Sequence, residues 1–157
     1  MANDSWATPQ RVFDRIVEVI GLEPGLDVAA TRENTKAPLY ISEKSNGLSR
    51  DWSMGGGNNV AWCNPPYSNP APWCAYASEQ ARTKNMFIVG LLPDDRSTKW
   101  YQEHIEGEAS ICWVPNKRIS FVNPETGLLQ GGNPKGSVIP LWTPWRTGRT
   151  EYVRFTL

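Results

Sequence analysis

At 157 residues, 39% of them hydrophobic and 20% charged, the chain reads as one globular, soluble domain large enough for its own core. No apolar run approaches the length of a membrane span, and the polar stretch from Met1 to Pro9 lacks the basic and apolar blocks of a signal peptide, so a cytoplasmic protein with no membrane partner is expected. Net charge is zero but uneven: residues 115–157 carry six basic against two acidic side chains, which suits a phosphate-binding face and equally an ordinary solvated surface.

The first helix should begin at Thr8 as N-cap, with Pro9 in its first position. Phe13, Ile16, Val17 and Ile20 then recur at helical spacing, and Gly21 with the Pro24-Gly25 turn ends it. A short strand is expected at 26–29, followed by a loop-rich region over 30–59 that includes Pro38, Gly47 and the run 55–57. Residues 60–63 form a short apolar strand that runs straight into Asn64-Pro65-Pro66-Tyr67. A helix is expected near 72–82, with Pro72 in its first turn. The continuous apolar run 86–92, bounded by Asn85 and Pro93, suits a strand buried on both faces. A short helix at 97–105 and strands at 109–114 and 137–142 complete the pattern, with an extended loop or hairpin over 123–136. Strands alternating with helices predict an α/β layered fold.

Cys63, Cys74 and Cys112 are widely spaced, and His104 is the only histidine. No pair has zinc-ligand spacing, so no metal site is expected, and His-dependent nucleophilic or base catalysis is set aside. Buried free thiols and a surface histidine are the expectation.

Chemistry concentrates in Asn64-Pro65-Pro66-Tyr67. Ligands in open α/β sheets bind beyond the carboxyl ends of strands, and this tetrapeptide follows such an end. An exocyclic amino nitrogen is a poor nucleophile because its lone pair is delocalised into the ring. Two acceptors aimed at its N–H groups would draw it toward a tetrahedral shape and stabilise the charge that develops during attack. Asn64 offers a side-chain carbonyl, and Pro65 a main-chain carbonyl with no N–H of its own to compete. Consecutive prolines stiffen the turn, and Tyr67 can stack on a base. The same four residues also suit a plain turn after a strand. By themselves they do not separate DNA from RNA or protein substrates, nor adenine from cytosine. A cytosine C5 reaction is disfavoured, because none of the three cysteines follows a proline.

From Trp6 to about Trp142 the chain resembles the phage-borne Dam-like DNA N6-adenine methyltransferases. The matching segments arrive in the family's order. They are Trp6-Ala7-Thr8-Pro9-Gln10, Leu26-Asp27-Val28-Ala29-Ala30, Gly47-Leu48 with Asp51-Trp52, Trp62 through Ser68, Leu91-Leu92-Pro93 with Arg96 and Trp100, and Lys117 through Phe121. The resemblance implies a compact Rossmann-like fold that uses S-adenosylmethionine and releases N6-methyladenine and S-adenosylhomocysteine, with no metal. It implies that Thr8 and Pro9 touch the methionine end of the cofactor, that Asp27 and the backbone near Ala29 line its site, and that Asp51 accepts from its adenine with Trp52 nearby. Each also has a structural reading: a helix start, a turn cap, a loop carboxylate. Where many methyltransferases carry a glycine-rich turn, Ala29-Ala30-Thr31 stands here, and Glu43 is the nearest candidate for the ribose hydroxyls.

The target adenine of double-stranded DNA must be flipped out of the helix. The resemblance makes Asn64, Pro65, Pro66 and Tyr67 catalytic, with Tyr67 as the stacking partner. Arg96, Lys99, Lys117 and Arg118 become DNA contacts, and 115–136 becomes a DNA-contacting insertion within the single domain 1–157. Rival readings are an amino methyltransferase of cytosine N4, RNA or protein glutamine, and a non-catalytic DNA-binding or anti-restriction protein that kept the fold.

Overall fold

The computed structural model describes residues 6–55, 58–131 and 135–157. Most of the N-terminal stretch read for a signal, two glycines of the run 55–57 and part of the expected loop 123–136 lie outside the described residues.

Helix α1 (Gln10–Ile20) is followed by strands β1 (Leu26–Asp27), β2 (Leu39–Tyr40) and β3 (Val60–Cys63). Helix α2 (Ala71–Thr83), strands β4 (Phe87–Gly90) and β5 (Leu92–Pro93), helix α3 (Lys99–His104) and strand β6 (Ile111–Pro115) come next. Strands β7 (Phe121–Val122) and β8 (Leu129–Gln130) make a separate hairpin, before β9 (Ser137–Trp142) and β10 (Glu151–Phe155). Among the described residues the main sheet runs β10-β6-β9-β4-β3-β1-β2, with β5 also paired to β9. Strand β9 runs antiparallel to β4 and β6, and the other pairs along that path are parallel. This is the α/β layering expected from the alternation of elements.

Side-chain alternation along the strands makes two cores. Ala61, Cys63, Ile88 and Trp142 face one side, where Cys74, Ala77 and Ala81 of α2 and Tyr101 of α3 pack on them. Trp62, Val89, Ile139 and Leu141 face the other, against Val12, Phe13 and Ile16 of α1. Phe13 meets Trp62 edge-on at 5.0 Å between ring centroids, which fixes α1 over β3. The three cysteines are buried, as expected, and burial pushes their thiols up, Cys112 to about 12. None is poised as a nucleophile. His104 is half-buried at the last turn of α3 rather than on the open surface.

Several elements depart from the sequence reading. The N-cap of α1 is Pro9, not Thr8, and Gln10 is the first helical residue. The carbonyl of Pro9 accepts from the amides of Val12 and Phe13, while the Thr8 hydroxyl accepts from Asn64. The run 86–92 is split into β4 and β5. The pairings Val89↔Leu141 and Leu92↔Val138 keep one register along β9, so the gap in that ladder at Gly90 and Leu91 falls opposite Pro140 and Ile139, and Pro140 brings no N–H to it. Strand β1 is two residues long where four were expected, because the Ala29 amide donates to the Asp27 carboxylate instead of to a neighbouring strand. Strand β10 was not anticipated.

The loop-rich region 30–59 contains β2 and two 3-10 turns, Gly47–Ser49 and Trp52–Gly55. Trp52 ties it down. Its side chain is buried, its indole N–H donates to the Gly47 carbonyl at 2.8 Å, and its amide donates to buried Gln80 of α2 at 2.9 Å. Gly47 is required by space: a Cβ there would lie 2.3 Å from the Val28 carbonyl oxygen and 2.9 Å from Trp73. Gly47→Ala is therefore expected to lower the free energy of unfolding by about 2–3 kcal/mol, read as a lower urea midpoint at unchanged slope.

Candidate active site

The chain leaves β1 first toward β2 on one side and then returns as β3 on the other. The carboxyl ends of β1 and β3 thus flank a topological switch point, the place where open α/β sheets bind ligands. Asp27 ends β1 and Cys63 ends β3, so Asp27 and Asn64 come together across that crevice although they are 37 positions apart in sequence.

Asn64-Pro65-Pro66-Tyr67 is the turn that carries the chain from β3 into α2. The Pro66 carbonyl accepts from Asn69, and the Pro70 carbonyl from Cys74 at the start of the helix. Asn64 is half-buried, and its side-chain NH2 donates to the Thr8 hydroxyl oxygen at 3.0 Å. With the nitrogen arm of the amide held there, the oxygen arm is left for a ligand. The Tyr67 hydroxyl donates to the Leu91 carbonyl at 3.3 Å, and the Tyr67 ring meets Phe121 edge-on at 5.8 Å. Burial pushes the Tyr67 phenol up, so it stays neutral and serves as a fixed aromatic wall.

In front of this turn lies a cavity of about 490 Å³, lined by Asn64, Pro65, Tyr67, Trp6, Trp100 and Lys135 among others. That volume is in the range of small-molecule sites. A smaller polar pocket of about 40 Å³, lined by Thr8, Asp27, Ala29, Lys36 and Trp62 among others, adjoins it. Asn64 and Trp6 line both. Trp6 is held there by its neighbour Ala7, which exchanges two backbone hydrogen bonds with Val122 of β7, at 3.1 and 2.8 Å.

Asp27 is 3% exposed. Burial raises its carboxyl to about 7, against the opposing pull of the Lys36 and Ala29 amides, which donate to its two oxygens at 2.9 and 3.3 Å. Burial also lowers the half-buried Lys36 ammonium, with Asp27 acting against that shift. The pocket disfavours charge on both groups and leaves a buried acceptor facing a polar space.

The other residues singled out from the sequence are elsewhere. Pro9 and Pro66 line neither space. Asp51 also lines neither; its carboxylate accepts from the amide and hydroxyl of Ser53 and pairs with Lys84 at 3.0 Å, and these partners hold it below the usual carboxylate range. Trp52, expected near the cofactor, is in the core against Tyr76. Arg96 pairs with Asp94 at 2.9 Å and lies 4.8 Å over the Tyr152 ring. Lys99 is exposed beside Glu103, and Lys117 and Arg118 are exposed on the segment before β7. Glu43 is exposed and lines neither space. Sequence reasoning gave no site role to Trp6, Trp100 or Lys36. The signals for the first two were their places in the family-like segments and the count of eight tryptophans. Among the described residues, no group of three His, Cys, Asp or Glu side chains converges to hold a metal, and no helix is long and apolar enough to cross a membrane.

Compared with known proteins, residues 1–156 match the family model described as DNA N-6-adenine-methyltransferase (Dam). The DNA N-6-adenine-methyltransferase of Haemophilus phage HP1 (strain HP1c1) is 36% identical over 141 residues, which cover 90% of this chain and 79% of the phage protein. The DNA N-6-adenine-methyltransferase of Escherichia phage T1 is 34% identical over 170 residues, which cover 98% of this chain and 69% of that relative. No solved structure matches.

Proposed function

Because the chain belongs to the DNA N-6-adenine-methyltransferase (Dam) family and so transfers a methyl group to the N6 amino nitrogen of adenine in DNA, we propose that Asn64, Pro65, Pro66 and Tyr67 are its catalytic turn and that the cavity before them receives the extruded adenine. The observation that carries this reading is the Asn64 amide. Thr8 holds its nitrogen, which leaves its oxygen for a ligand, and Asn64 lines both spaces while the adjoining Pro65 lines the larger one. These two oxygens accept from the two amino N–H groups, localise the nitrogen lone pair and stabilise the positive charge that develops there. Pro66 stiffens the turn so that the acceptors need not reorganise. Tyr67, pinned at its hydroxyl and on its edge, offers a ring to the base.

The parallel run β2-β1-β3-β4 with its switch point supports a Rossmann-like methyltransferase fold. S-adenosylmethionine, when bound, supplies an electrophilic methyl carbon on a sulfonium. The small pocket suits part of such a ligand: Asp27 is a buried acceptor matched to ammonium or hydroxyl donors, with Ala29 beside it. Thr8 acts on this site through Asn64, and Pro9 fixes the segment that holds Thr8. Asp51, engaged by Ser53 and Lys84, is left out of the site. Arg96 and Lys99 lie between the cavity residues Asp95 and Trp100, and Lys117 and Arg118 lie just before cavity residue Phe121. All four are assigned to the DNA backbone as phosphate contacts.

Incubating the purified protein with methyl-labelled S-adenosylmethionine and DNA, then digesting to nucleosides, should place label in N6-methyladenine. Label in N4-methylcytosine, transfer only to RNA or protein, or no cofactor binding by calorimetry would overturn the reading. Thr8→Val should lower kcat roughly 3- to 10-fold, the range of one lost hydrogen bond, with cofactor affinity nearly unchanged and activity restored by Thr8→Ser. A loss that Thr8→Ser does not recover would remove Thr8 from this role.

A further inference from the structure

The β7–β8 hairpin carries the most exposed large hydrophobic among the described residues. Leu128 is 68% exposed, and the adjoining Leu129 is 52% exposed. Single surface leucines are ordinary, but this pair stands on a pre-built support. The Asn123 amide donates to the Leu128 carbonyl at 3.0 Å, the Gly127 amide to the Asn123 carbonyl at 2.8 Å, and the Glu125 amide to the Asn123 side chain at 2.9 Å. Gly127, at φ 70°, takes the left-handed step that a side chain would resist. The turn therefore holds its leucines in place by its own hydrogen bonds.

The root of the hairpin is the cavity wall. Phe121 lines the cavity and meets Tyr67, and Val122 pairs with Ala7 next to Trp6. Leu129 is directly across from Val122 in the hairpin register, so the exposed pair begins on the partner strand, one pair along the ladder from the lining residue Phe121 and roughly 6 Å from it between backbones. The flanking charge suits nucleic acid. Lys117 and Arg118 precede the hairpin, Lys135, paired with Asp95 at 2.8 Å, follows it, and Glu125 is the one acidic residue in the turn.

We propose that Leu128 and Leu129 form an apolar wedge that enters the base stack where the target adenine leaves it. Extruding a base costs stacking and pairing, and apolar side chains inserted between base steps are a physical means of holding such a gap open. The proposal rests on the adenine-methylation reading and supplies its missing step, the work of opening the duplex beside the cavity.

The test compares wild type with the Leu128→Ser/Leu129→Ser double variant on two DNAs. One is a fully paired duplex; the other has the target adenine opposite an abasic site, so that it is already unpaired. Exposed positions should tolerate serine without loss of fold, which the urea midpoint checks. The variant should lose ~10-fold or more in kcat/KM on the paired duplex and keep activity within about twofold on the unpaired target. With 2-aminopurine in place of the target adenine, the fluorescence rise on binding the paired duplex should shrink in the variant. Equal loss on both DNAs, or no loss on either, overturns the wedge. A wild-type dimer that becomes monomeric in the variant at unchanged activity also overturns it, and assigns the pair to a contact between copies. Wild type inactive on both DNAs defeats the underlying methylation reading instead.

Discussion

Asn64→Ala is expected to lower kcat for methyl transfer by about 10²–10³-fold, the effect of removing one preorganised group from a developing charge, while calorimetric affinity for S-adenosylmethionine changes little. The reasoning is differential. The Asn64 oxygen matters most when the amino nitrogen is pyramidal and partly positive, so its loss appears in kcat more than in KM. The variant also frees the Thr8 hydroxyl, which accepts the Asn64 amide at 3.0 Å. Thr8 adjoins a polar pocket that water can enter, so the fold should survive. Single-turnover methylation of duplex DNA with cofactor in excess is the measurement. Full activity in Asn64→Ala would remove this residue from catalysis, and equal losses of activity and cofactor affinity would make it a cofactor ligand instead.

The second large effect is a pH dependence of stability set by Asp27. Burial raises its folded-state carboxyl from 3.8 to about 7. Between those values the folded chain binds more protons than the unfolded one, so stability falls as pH rises. The contribution is complete below about pH 4 and is lost progressively until about pH 7, a span worth ~4 kcal/mol. Asp27→Asn removes the titrating group. It also weakens the bonds to the Lys36 and Ala29 amides, but that offset does not depend on pH. Urea unfolding of both proteins from pH 4 to pH 8 should therefore show Asp27→Asn gaining on wild type by about that amount across the range. Parallel curves would show that Asp27 is ionised in the free protein. A ligand that brings ammonium or hydroxyl donors to Asp27 favours its charged form, so cofactor binding should tighten as pH rises toward 7 and should release a proton near pH 6.

What could be read before any coordinates were known was local or periodic. Phe13, Ile16 and Ile20 marked α1 by their spacing, and Val60 to Cys63 marked β3 by unbroken apolarity. Asn64-Pro65-Pro66-Tyr67 announced a stiff pair of acceptors through its own covalent chemistry. Misses occurred where a distant partner decided the outcome. Thr8 looked like a helix cap, but its hydroxyl is engaged by an asparagine 56 positions away. The run 86–92 looked unbroken because the interruption comes from Pro140 on another strand. Strand β10 exists because β6 presents an edge to residues 151–155, which local propensity did not single out.

By itself, then, the sequence determined the α/β class, the buried strands and the turn proposed as catalytic, because apolar periodicity and proline stiffness act within a few residues of chain. Tertiary structure alone decided that Asp27, Thr8, Trp6 and Asn64 share one crevice. It also decided that a buried carboxyl there is held near neutral, and that a leucine-tipped hairpin stands at the rim. Those outcomes depend on which strand lies beside which and on how far water is excluded between them, and neither quantity is written in any single stretch of residues.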